Sequence, residues 1–189
     1  MANMVLGIDS INDIIDDYNR NYKSSIDDVL DAYGNYPKKI DGCVRGLHIT
    51  NSKPQLRDPH QNRIRETKRK AAIRALSMAT WPNNVKNFEE LFEWVYEILR
   101  KNGVIKNRCL WVYDIALRMG QCMTPKIEPQ KYVYLYKGAY EGAVSLNKIL
   151  PNGSKIMIKN NRAPISSFPP VLQRLGTIDI ENIMCIYHP

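Results

Sequence analysis

Between residues 57 and 74 the chain carries Arg57, Arg63, Arg65, Lys68, Arg69, Lys70 and Arg74, opposed only by Asp58 and Glu66. Lysine and arginine at this density displace counterions from a phosphate backbone, and the resulting association weakens as salt rises. A solvated surface helix could carry the same charges with no partner at all. A second group of chemically capable residues combines His60, Gln61 and Arg63 with Asp114 and Arg118. Asp114 falls inside an apolar stretch, where a carboxylate needs a compensating charge. It is therefore expected to pair with an arginine as a structural ion pair, and a catalytic role is the alternative. Tyr132, Tyr134, Tyr136 and Tyr140 interleave with Lys131 and Lys137. Tyrosines beside cations can stack bases, but core and rim packing of a short strand is the reading expected first. Cys43, Cys109, Cys122 and Cys185 lie far apart with no CxxC pair, and His48, His60 and His188 add no ligand spacing. The expectation is reduced, buried thiols, no metal and no cofactor.

The run Leu99-Arg-Lys-Asn-Gly103-Val104-Ile105-Lys106-Asn107-Arg108-Cys109-Leu110-Trp111-Val112 joins two helical stretches. It resembles a helix-hairpin-helix DNA-binding motif, in which a Gly-hydrophobe-Gly turn precedes the second helix. The resemblance implies that backbone N–H groups at that helix's start face a DNA phosphate, with the helix dipole adding attraction. Gly103 and Val104 match the first two turn positions. Ile105 stands where the second glycine belongs, and its side chain is expected to hinder close approach of the phosphate. Lys106, Asn107 and Arg108 supply charge and donors.

Over roughly residues 60–150 the order of elements is similar to that of helix-hairpin-helix DNA glycosylases. That likeness implies a catalytic aspartate after the hairpin, and in some members a lysine nucleophile within it. Here Lys131–Gly138 contains no carboxylate, and Lys106 is offset from the lysine position by about one residue. Base excision therefore lacks its expected base. A further resemblance, over residues 57–187, is to an uncharacterised group of small bacterial proteins. It rests on His60-Gln61-Asn62-Arg63, on Val112-Tyr113-Asp114-Ile115-Ala116-Leu117-Arg118-Met119-Gly120, on Val133-Tyr134-Leu135 with Gly138 and Gly142-Ala143, and on Cys185-Ile186-Tyr187. It implies one integrated fold and brings no activity with it.

These residues must be positioned by elements the sequence signals unevenly. Residues 8–33 read as helix, with Ile8, Ile11, Ile14, Ile15 and Tyr18, then Ile26, Val29, Leu30 and Tyr33, at helical spacing; Asp9 and Ser10 offer N-cap oxygens and Gly34 a stop. Residues 34–59, rich in Pro and Gly, read as a connection with a short strand or turn at 44–49. Helices are expected over 60–79, 88–101, 107–119 (ended by Gly120) and 138–150. Short strands are expected at 132–136 and 155–158, and closing helices at 169–175 and 178–187. Among them Phe88, Leu91, Phe92, Val95, Ile98 and Leu99 make the broadest apolar face.

The 189 residues carry a net +8, unevenly placed. Residues 1–36 hold seven aspartates against Arg20 and Lys23, a net of −5, so the remainder carries +13. The sequence thus predicts a mainly α fold: an acidic helical arm over 1–36, and a basic helical domain over 37–189 built around the hairpin, with a minor β element. No run of about 18 apolar residues and no leader pattern is present, so a cytoplasmic protein is expected, with no membrane partner. The function expected first is non-enzymatic, largely sequence-independent binding of nucleic acid, DNA above all. Gly103, Val104, Lys106, Asn107 and Arg108 would contact phosphates, and Arg63, Arg65, Lys68, Arg69 and Lys70 would extend the footprint. Two alternatives stay open: a protein-interaction module using the basic face and the acidic arm, and a glycosylase- or lyase-like enzyme.

Overall fold

The computed structural model describes residues 10–35, 40–51 and 53–188, with the backbone alone at Ser10, Pro59 and His60. The caps expected from Asp9 and Ser10 and the side-chain role expected of His60 lie outside the described residues. The fold is mainly α: 61% of it is helical and 9% is strand.

Two compact units divide the chain, residues 25–128 and residues 1–24 with 129–189. Neither boundary falls at 36/37, where the charge distribution changes. In the 25–128 unit, helix α2 (Ser24–Asn35) precedes α3 (Ile40–Arg45) and an antiparallel hairpin of β1 (Leu47–Thr50) and β2 (Lys53–Leu56). The sequence reading of 34–59 as a connection with one short element missed α3 and β2. α3 has only six residues, too few to display a helical period, and it buries Gly42, Cys43 and Val44. β2 contains Pro54, paired with Ile49. A proline is tolerated there because both strands of a two-stranded sheet are edges.

The helix expected over 60–79 is two pieces: a 3-10 turn, Pro59–Arg63, and α4 (Glu66–Ser77). Arg65, with an extended ψ of 138°, separates them. The Arg69 guanidinium bridges the break: it donates to the Gln61 carbonyl (2.7 Å), which also accepts the Ile64 amide, and to the Ile64 carbonyl (2.6 Å). α5 (Phe88–Lys101) and α6 (Leu110–Gln121) pack on each other. α6 continues through Gly120 instead of ending there.

The second unit holds α1 (Ser10–Tyr18), a π-helical turn over Asn19–Lys23, β3 (Tyr132–Tyr134), α7 (Gly138–Ile149), β4 (Arg162–Pro164), α8 (Pro170–Gln173) and α9 (Thr177–Ile186). β3 and β4 pair antiparallel, Tyr132 to Pro164 and Tyr134 to Arg162. No strand forms at 155–158. Asn160 and Asn161 take left-handed φ of 53° and 56° and turn the chain tightly, so that Arg162–Pro164 becomes the partner of β3. The 155–158 segment instead serves α7: Ile156 is buried, and Lys155 Nζ donates to the carbonyls of Leu150 (2.5 Å) and Asn147. α7 and α9 cross closely because Gly142 has no Cβ; one would overlap the Met184 carbonyl. α1 is held to α9 by polar contacts. Tyr18 donates its hydroxyl to Asp179 Oδ1 (2.8 Å), Lys23 Nζ bonds Asp179 Oδ2 (2.7 Å), and the Tyr187 hydroxyl donates to Asp17.

Candidate nucleic-acid interface

α5 begins and ends on local chemistry. Asn87 accepts the Glu90 amide at 2.9 Å, and Glu90 accepts the Lys86 amide at 2.8 Å. At the other end Gly103 takes φ +69°, its amide bonds the Arg100 carbonyl (3.0 Å), and the Val104 amide bonds the Leu99 carbonyl (2.9 Å). This is a Schellman closure, with glycine at the left-handed position and an apolar residue following it. Gly103 and Val104 are therefore explained by the ending of α5. Val104 is 9% exposed and offers no side chain to a ligand. Ile105 is 6% exposed, so its side chain is buried and does not obstruct the turn, contrary to the expectation from its place in the motif.

Lys106, Asn107 and Arg108 are exposed. The Arg108 guanidinium is already committed: it meets both carboxylate oxygens of Glu93 (2.9 and 2.6 Å) and lies 4.3 Å from the centre of the Tyr96 ring. Arg100 is likewise held by Glu97 at 2.8 Å, which keeps the Glu97 carboxyl below its ordinary range. Among the described residues, Lys101, Lys106 and Asn107 are the hairpin donors whose side chains have no hydrogen bond or ion pair. Beyond them Cys109 leads into α6 from extended backbone, with no side-chain cap. Its carbonyl accepts the Val112 and Tyr113 amides at 3.0 and 3.3 Å. The amides of Leu110 and Trp111 precede the first bond of the helix and carry its positive dipole end.

α4 brings its own charges. Arg69 is 6% exposed and pairs with Glu66 at 2.5 Å besides the carbonyls noted above. It is a structural clasp and not an outward contact, which corrects its place in the expected footprint. Arg63, Arg65, Lys68, Lys70 and Arg74 are exposed, and among the described residues none has a carboxylate within 4.0 Å. Lys68 Nζ lies 5.6 Å from the centre of the Trp111 ring. Trp111 is itself 4% exposed and anchored by its indole N–H on the Val44 carbonyl (3.3 Å). Lys68 of α4 thus reaches the first turn of α6.

The polar cluster expected from Gln61, Asp114 and Arg118 is only partly as the sequence suggests. Gln61 donates to Asp114 Oδ2 at 2.7 Å. Arg118, 7% exposed, instead bonds Asp58 Oδ2 and the Cys43 carbonyl, both at 3.2 Å, and faces the Tyr33 ring at 6.0 Å. Burial opposes its charge, and Tyr33, Asp114 and Asp58 outweigh that and push its pKa upward. Burial also raises the Tyr33 phenol to about 12, against the lowering effect of Arg118. Sequence reasoning missed Asp58, Tyr33 and Gly46 here, because residues 60 to 85 positions from Arg118 leave no local pattern. The buried thiols are Cys43 and Cys122; Cys109 and Cys185 are half-exposed. Contact with Cys122, then burial, pushes the Cys43 thiol well up.

Comparison with protein-family models, curated proteins and solved structures found no match to this chain. Among the described residues no helix is long and apolar enough to cross a membrane.

Proposed function

We propose that this protein binds nucleic acid, without catalysing a reaction on it, through phosphate contacts made by α4 and the start of α6. The observation that carries the reading is the contact of Lys68 with Trp111: it sets one α4 cation, which has no carboxylate within 4.0 Å among the described residues, beside the first turn of α6. The footprint is weighted toward Arg63, Arg65, Lys68 and Lys70, with Lys101, Lys106 and Asn107 as hairpin donors. Arg108 contributes less, since a ligand must compete with Glu93 for it. The likeness to helix-hairpin-helix proteins favours DNA. Because phosphates carry no base identity, recognition is largely independent of sequence.

Fluorescence anisotropy with a labelled duplex across a salt series tests this. Affinity should fall steeply with salt, and the double variant Arg65→Glu/Lys70→Glu should bind about tenfold more weakly with a log–log salt slope reduced by about 2. Binding that ignores both salt and this double variant would rule the interface out.

A further inference from the structure

The β3–β4 ribbon lies in the other compact unit, and most of the cations on and around it have no carboxylate partner among the described residues. Residues 131–162 contain Lys131, Lys137, Lys148, Lys155, Lys159 and Arg162 against Glu141 alone. Lys155 is spent on backbone carbonyls. Lys131, Lys137, Lys159 and Arg162 have no carboxylate within 4.0 Å among the described residues. This contrasts with Arg45, Arg69, Arg100 and Arg108, each of which holds one.

Two segments bring Lys137, Lys159 and Arg162 to one end of the ribbon. Lys159 and Arg162 exchange both backbone hydrogen bonds (2.9 and 3.1 Å) across the exposed Asn160-Asn161 turn. The Leu135 amide donates to the Asn161 carbonyl at 2.7 Å, which sets the turn beside the strand that continues to Lys137. Arg162 is ordered in advance, its guanidinium 4.5 Å from the centre of the Tyr132 ring. A planar fork resting against an aromatic ring loses less freedom when it meets a phosphate than one free in solvent. Tyr134 and Tyr136 are buried, so the base-stacking platform suggested by the tyrosine run is not available. Tyr132 serves as a support for the arginine instead.

We propose that this ribbon end, Lys137, Lys159, Asn160, Asn161 and Arg162, is a second contact surface for the phosphate backbone of nucleic acid. Its choice of partner rests on the reading above; its geometry does not. Exposed asparagine amides and a fixed guanidinium suit phosphate oxygens. The one strongly exposed apolar side chain near it in sequence, Met157, is less apolar surface than membrane insertion uses.

The test uses the full-length protein, with Lys137→Glu/Lys159→Glu set against the α4 double variant on the same labelled duplex and single-stranded oligonucleotides. The ribbon variant should bind at least one of them about tenfold more weakly, with a salt slope reduced by about 2. In the unaltered protein, oligonucleotide should protect Lys137 and Lys159 from acetylation, a measurement independent of any variant. A ribbon variant that binds both oligonucleotides like the parent, with both lysines unprotected, overturns this surface even where the α4 variant weakens binding. The converse, loss in the ribbon variant alone, supports the ribbon and rejects the α4 interface. Binding of anionic phosphatidylserine vesicles that is lost in the ribbon variant, with oligonucleotide affinity unaltered, also overturns it.

Discussion

A guanidinium at 7% exposure is costly to bury, several kcal/mol before its bonds are counted, so Arg118 depends on how closely its acceptors approach. Gly46 makes that approach possible. It lies at φ +77°, and a Cβ there would stand 2.5 Å from Asp58 Cβ and 3.1 Å from the Arg118 guanidinium carbon. Gly46→Ala therefore combines backbone strain with displacement of the Asp58–Arg118 pair, and should lower stability by about 2–4 kcal/mol in thermal or urea denaturation. An alanine variant as stable as the parent would mean that this cluster tolerates expansion and that Arg118 is not held as described. The exposed pairs, Arg108 with Glu93 and Arg100 with Glu97, belong to another regime. Solvent and salt screen such pairs, so they add little to stability, and their consequence is that they leave the hairpin less positive than its sequence suggests.

At the level of elements, α5 runs over the residues the sequence predicts, 88–101. Every signal that defines it is local: an asparagine cap, acidic residues in the first turn, an apolar face at helical spacing, basic residues in the last turn and an Asn-Gly end. Asn87→Ala should cost about 1 kcal/mol, read as a shift in the urea midpoint with an unaltered slope; no shift would show that Glu90 alone secures the start. α3, the divided 59–77 segment and β4 were not legible in the same way. α3 is a helix because Cys43 and Val44 are buried in its unit. At the α4 boundary, Arg69 reaches back across the break. β4 depends on a two-asparagine turn that selects residues 162–164, not 155–158, as the partner of β3.

For the molecule as a whole, the consequential feature is that the chain's beginning and end share a compact unit. Asp179, 8% exposed, is the joint, since both its oxygens are taken by α1 and the turn after it, one by Tyr18 and one by Lys23. Asp179→Ala removes both acceptors and leaves the fully buried Tyr18 hydroxyl without this partner. It should cost about 1–3 kcal/mol and raise amide hydrogen exchange over residues 10–24. Exchange identical to the parent in that segment would show that apolar packing and the Tyr187–Asp17 bond hold α1 without Asp179.

The sequence by itself determined what depends on neighbours in the chain: the helical class, the long amphipathic helix α5, the concentration of cations between residues 57 and 74, and the asparagine-glycine end of α5. Only the tertiary structure decided which of those cations face outward. Arg69 and Arg118 turn inward and Arg108 is held by Glu93, because a charge's availability depends on acceptors that folding brings from elsewhere. Tertiary packing likewise buried Ile105, set Lys68 against Trp111, and left the β3–β4 ribbon with charges that no carboxylate answers. Charge is written in residue type, but its compensation is a matter of distance, and distance between remote residues exists only once the chain has folded.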